Sequence, residues 1–181
     1  MSTNGDALSD LLSTPEPPML GPQKRPGTKS VTELDKLLSP ILEQRKFPEM
    51  NQALIRSCIY LWHDHLDESH TISQGIENAD GSYLHAIMHR REPDYWNSKY
   101  WFRRVGKHPS LKKMGENTAG MLKHDQELAG KLLVGGTWDA MAFVDECERA
   151  AKLPVSGARV EILRLIQGYE FTVLLKHFCA A

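Results

Sequence analysis

From Ser30 onward, apolar residues recur at intervals of three and four, the spacing of a helix face buried against a core. The clearest stripe is Ile55, Cys58, Ile59, Trp62 and Leu66, which predicts a helix from about 49 to 70–74, with Gly75 as its stop. Ahead of it, Ser30 and Glu33 have capping-box spacing, followed by Leu34, Leu37, Leu38, Ile41 and Leu42. Pro40 falls inside that run, where Ser39 could cap a second short helix. Asp80-Gly81 marks a turn and Ser82 an N-cap for a helix over 83–91. Pro93 ends that helix near Glu92, Asp94 starts another over 94–105, and Gly106 and Pro109 close it. The final third predicts helices over 118–134, 138–152 and 156–178, separated by Gly135-Gly136 and by Pro154 with Gly157. No segment sustains the alternation of a strand. The expected fold is all-α, a single irregular bundle of about six or seven helices.

Residues 1–29 break this pattern. They hold five of the ten prolines and little that could form an apolar face, which predicts a disordered tail on a helical domain of 30–181. A second copy of the aromatic helix at 94–106 would be needed for a tetratricopeptide-like solenoid. The stretch about 34 residues further on has no aromatics, so the repeat is not met.

Composition narrows the class. The 181 residues are 41% hydrophobic and 25% charged, which excludes a wholly disordered chain. A formal charge of -1 disfavours a generally basic nucleic-acid binder. Cys58, Cys147 and Cys179 form no CxxC pair and imply neither a disulfide framework nor a sulfur-ligated zinc site. Without a signal-peptide pattern or an apolar run of membrane length, the expected location is cytoplasmic, with no membrane partner.

The densest chemical signal is histidine. Five of eight fall between 63 and 89: His63, His65, His70, His85 and His89. On a continuous 49–74 helix, His63, Asp67 and His70 share one side, and His85 and His89 lie one turn apart on the next. Two such faces turned together would offer up to four imidazoles and a carboxylate, the donor set of a divalent metal. The signal lacks the Glu of HExxH and the ExxH of carboxylate-bridged di-iron proteins. The competing structural reading is a buried hydrogen-bond network of histidines, Asp67 and backbone.

A second signal is basic and aromatic. From Arg90 to Lys113 there are eight Lys or Arg against Glu92 and Asp94, interleaved with Tyr95, Trp96, Tyr100, Trp101 and Phe102. Residues 57–80 hold five acids and no Lys or Arg, so the two segments are expected to neutralise each other. An anion held by Arg90, Arg91, Arg103 or Arg104 is the functional alternative. Stacked nucleic acid fits worst, because several of these aromatics must face the core.

LWHDHLDESHTISQ at 61–74 and GSYLHAIMHRREPDYWNSKYWFRRVGKHP at 81–109 resemble a mainly bacterial group of proteins without an assigned activity. Its mark is an H-x-x-x-H-R-R-E segment followed by Y-W-F-R-R-V-G. The resemblance extends over about 50–179 and implies no reaction, cofactor or partner; it does imply that the His-Asp and His-Arg-Arg-Glu segments belong together.

Three functions are compatible with this reading. The first is a helical protein binding a small polar or anionic ligand in a pocket lined by His63, Asp67, His70, His85, His89, Arg90 and Arg91. The second is a metal-dependent, hydrolase-like enzyme with a divalent metal on His63, His70, His85 and His89, and Asp67 or Glu68 as base. The third is a protein-interaction scaffold of tetratricopeptide-like helices, with a protein partner and no pocket chemistry.

Overall fold

The computed structural model describes residues 4–180. These form ten helices and one two-stranded ribbon, so the all-α class holds and the expected six or seven helices were too few. Three features raise the count: a helix before Ser30, a break in the 49–74 run, and a helix beginning at Pro109. No helix among the described residues is long and apolar enough to cross a membrane.

Helix α1 is Asn4–Asp10 and α2 is Val31–Arg45. The Ser30–Glu33 capping box forms as its spacing requires, and Leu34, Leu38 and Leu42 are fully buried. Pro40 sits inside α2 on its exposed side, where water can satisfy the carbonyl that the missing N–H leaves free. No second helix starts there.

Helix α3 is Glu49–Trp62, α4 is Leu66–Ser73 and α5 is Ala79–Arg91. The run expected to be one helix breaks at 63–65, where Asp64 adopts a left-handed φ of 67°. A tertiary ion pair explains the break. Asp64 is buried and faces two arginines, Oδ1 lying 2.7 Å from Arg91 and Oδ2 3.3 Å from Arg25. Helical periodicity carries no trace of such a contact.

Helix α5 runs through the middle of the molecule and is buried on every side from Gly81 to Arg91. Asn78, not Ser82, caps it, accepting from the Gly81 N–H at 2.9 Å. A Cβ on Gly81 would lie 2.2 Å from the Ile76 carbonyl oxygen, so the turn into α5 requires glycine. Helix α6, Tyr95–Val105, packs along α5, and Asp94 caps it as expected.

Helix α7 is Pro109–Met121 and α8 is Gln126–Leu132. Strands β1, Leu133–Val134, and β2, Thr137–Trp138, turn about Gly135-Gly136 with φ of 60° and 80°. Helix α9 is Ala140–Ala150, capped by Asp139, and α10 is Ala158–Ala180, whose Leu163, Ile166, Phe171 and Leu174 are fully buried.

The expected disordered tail of 1–29 differs from what the structure places over 4–29; residues 1–3 lie outside the described part. Leu8, Leu11 and Leu20 are buried in the core. Arg164 holds Glu16 at 2.9 Å and the Pro17 carbonyl at 2.7 Å, and the Gln167 amide donates to the Pro18 and Met19 carbonyls. Arg25 is buried and donates to the Trp62 carbonyl as well as pairing with Asp64. Low average hydropathy describes a segment's composition, but three well-spaced leucines and one paired arginine are enough to anchor a strap across a preformed surface.

Candidate metal centre

Helices α4 and α5 bring three of the predicted histidines together. Ring centroids are 4.6 Å apart for His70 and His85, 5.3 Å for His70 and His89, and 4.8 Å for His85 and His89. One ring nitrogen of each lies within 4.8 Å of the others. His85 and His89 meet because they are one turn apart on α5. His70 reaches them from the second turn of α4.

Burial keeps two of these rings neutral. His85 is pushed down to about 3, first by desolvation and then by His89 and His70. Desolvation likewise lowers His89, against the pull of Glu92. His85 Nδ1 is buried and has no hydrogen-bond partner among the described residues. Trp101 on α6 covers the His85 ring, stacked at 3.9 Å between centroids. On His89, Nδ1 donates to Glu92 Oε2 at 3.0 Å, which leaves the lone pair on Nε2. The Asn97 amide donates to that Nε2 at 3.0 Å. A carboxylate behind one imidazole nitrogen is the usual support of a metal-bound histidine, and a metal at Nε2 would take the place of the Asn97 hydrogen bond.

The other predicted residues lie elsewhere. The break at Asp64 turns His63 away from His70 and under the N-terminal strap. The Lys29 N–H donates to His63 Nδ1 at 3.1 Å, so Nε2 carries the hydrogen and donates to the Leu11 carbonyl at 2.8 Å. Both nitrogens are engaged, and burial lowers its pKa to about 4. Asp67 is exposed on the first turn of α4, and no hydrogen bond joins its carboxylate to an imidazole among the described residues. Arg90 is fully buried, with Nη2 2.5 Å from Glu170 and 3.2 Å from Gln167, and its guanidinium lies over Phe143. Arg91 is fully buried on Asp64 and on the carbonyls of Leu61, Met19 and Gly21. The expected neutralisation of acidic by basic segments is therefore partly internal, through Arg91–Asp64, while Arg90 finds its carboxylate on α10.

A second group of donors, Asp80, His108 and His177, also converges. Both Nε2 atoms face Asp80 Oδ1, at 2.7 Å from His108 and 2.9 Å from His177. The tautomer of His108 decides what this group does. Its Nδ1 accepts the Ser110 N–H at 3.1 Å as the N-cap of α7, so the hydrogen of the neutral ring is on Nε2 and points at Asp80. A metal at Nε2 would need that hydrogen moved to Nδ1, against the Ser110 N–H. The group is therefore a hydrogen-bonded clasp joining α5, α7 and α10, and the His108 hydrogen bond holds the Asp80 carboxyl below its ordinary range.

Sequence reasoning passed over Glu92 as a partner of His89, although its i+3 position on the end of α5 was a readable signal. The roles of Asp64, Asn97, Trp101 and the clasp had none, because each depends on contacts between elements. No family model, curated protein or solved structure matches the chain, and the site is read from its own geometry.

Proposed function

We propose that the protein is a metal-dependent enzyme of hydrolytic type, with a divalent metal such as zinc held by His70, His85 and His89. The carrying observation is a group of three imidazoles with nitrogens within 4.8 Å of one another, one of which has a buried nitrogen without a partner among the described residues. A buried polar atom left unpaired costs about 1–3 kcal/mol, and a metal bond removes that cost. The depressed values of His85 and His89 keep their lone pairs available at neutral pH. Small movements that bring the nitrogens to about 3.4 Å apart suit bonds of about 2.0–2.1 Å in a tetrahedron.

Three protein ligands would leave a bound zinc one position for water, whose pKa such an ion would lower to about 7. Such a metal would supply an acidic water, releasing its proton to solvent, so no carboxylate hydrogen-bonded to the cluster would be required as base. Glu92 holds the His89 ring, and Trp101 covers one face of His85 and lowers the local dielectric. Arg90 and Arg91 serve the core ion pairs, which favours the metal reading over an anion pocket built on those two arginines. Metal analysis of protein purified without a histidine tag tests the reading. One equivalent of zinc or a similar ion, lost in His85→Ala and His89→Ala, is the expected result; a metal-free protein that takes up none on titration overturns it.

A further inference from the structure

The histidine cluster lies against one face of α6, through Trp101 on His85 and Asn97 on His89, and that face continues outward as a shelf of aromatic rings. Trp96, Tyr100, Trp101 and Arg104 fall at i, i+4, i+5 and i+8, on one side of the helix. Trp101 stacks on His85. Tyr100 meets Trp101 edge-on at 5.5 Å, and Trp96 lies beyond it at 6.3 Å with its plane only 12° from that of Tyr100. Trp96 is 75% exposed and Tyr100 39%. Tryptophan is rarely left so open, and the two nearly parallel rings present π surface to solvent. Arg104 closes the far end. Its guanidinium lies 5.2 Å from the Trp101 ring and 5.9 Å from Tyr100, and it pairs with no carboxylate among the described residues. A guanidinium whose face rests on aromatic rings keeps its N–H edge free for an anion.

We infer that this face is a substrate platform for a small molecule in which a planar ring carries an anionic group such as phosphate or carboxylate. The ring stacks on Trp96 and Tyr100. The anion pairs with the free N–H edge of Arg104, whose guanidinium face is held over Tyr100 and Trp101. That the bound molecule is the substrate of the metal centre rests on the function proposed above; the stacking surface and Arg104 do not. A longer single-stranded nucleic acid would need more such rings in succession.

Adenosine monophosphate, adenosine and inorganic phosphate serve as probes, titrated into the zinc-equilibrated full chain by calorimetry and tryptophan fluorescence. Zinc binding is measured separately. Adenosine monophosphate is expected to bind at least about tenfold more tightly than either half-molecule, with quenched fluorescence. Trp96→Ala should weaken the nucleotide about tenfold or more, the loss of one stacking partner, and leave phosphate unchanged. Arg104→Gln should weaken nucleotide and phosphate together and leave adenosine unchanged. Both residues are at the surface, so both variants fold, and their melting temperatures check this. Zinc binding with no nucleotide binding, or nucleotide binding indifferent to Trp96, overturns the platform while the metal centre stands. Nucleotide binding that depends on Trp96 and Arg104 in a protein that takes up no zinc supports the platform and overturns the metal centre.

Discussion

Asp64 shows how much one residue can carry. It breaks a helix, anchors the strap through Arg25, and neutralises Arg91 deep in the core. Asp64→Asn keeps the shape and tolerates the left-handed backbone, but it leaves two guanidiniums buried without a counter-charge. The expected loss is about 3–5 kcal/mol, read as a shift in the midpoint of urea unfolding. Asp67→Asn, three residues on and exposed, is expected to stay within about 0.5 kcal/mol of the parent. Equal behaviour of the two would mean that Asp64 is not the keystone described. Within the histidine group, His85 and His89 were legible because i, i+4 spacing survives in any helix. His63 was misplaced because its position was projected along a helix that Asp64 interrupts. The ion pair responsible joins residues far apart in sequence, which no local pattern encodes.

The elements themselves were legible wherever a cap or a breaker spoke locally. Ser30, Asp94, Gly106 and the Gly135-Gly136 turn sit at boundaries as their chemistry requires. Boundaries set by tertiary contact were not legible: the α3–α4 break, and the start of α7, whose N-cap is a histidine tied into the clasp. The N-terminal strap is the largest such case. Deleting residues 1–29 removes Leu8, Leu11 and Leu20 from the core and strips Arg25 from Asp64. Buried leucines are worth about 2–5 kcal/mol each, and about 1 kcal/mol moves the melting temperature of a chain this size by about 2–4 °C. The melting temperature of the truncated protein should fall by about 10 °C or more, with helical content lost on a shared transition. A truncated protein that melts with the parent would show that the strap contributes nothing to the fold.

At the scale of the whole molecule, charge and stability are linked through buried imidazoles, and His85 would couple them to the proposed metal. His63 and His85 have folded values of about 4 and about 3, below the ordinary 6.5. As pH falls, the unfolded chain therefore takes up protons first. The stability they contribute is complete above about pH 7 and is lost progressively from about 6.5 downward, with Asp80 adding to the loss at still lower pH. Melting temperature measured from pH 8 to 4 should be level and then decline; a flat profile to pH 4.5 would contradict the burial of neutral imidazoles. Binding of metal at the proposed centre would follow the same direction, because protons and metal compete for one lone pair. The central claim is that His70, His85 and His89, and not the clasp, are the metal centre. Zinc titration by calorimetry at pH 7.5, in a tag-free protein, tests it most directly. One equivalent should bind to the parent and to His177→Ala, and none to the His70→Ala, His85→Ala, His89→Ala triple variant. Binding that survives in the triple variant but disappears with His177, or no binding to the parent at all, would contradict the account.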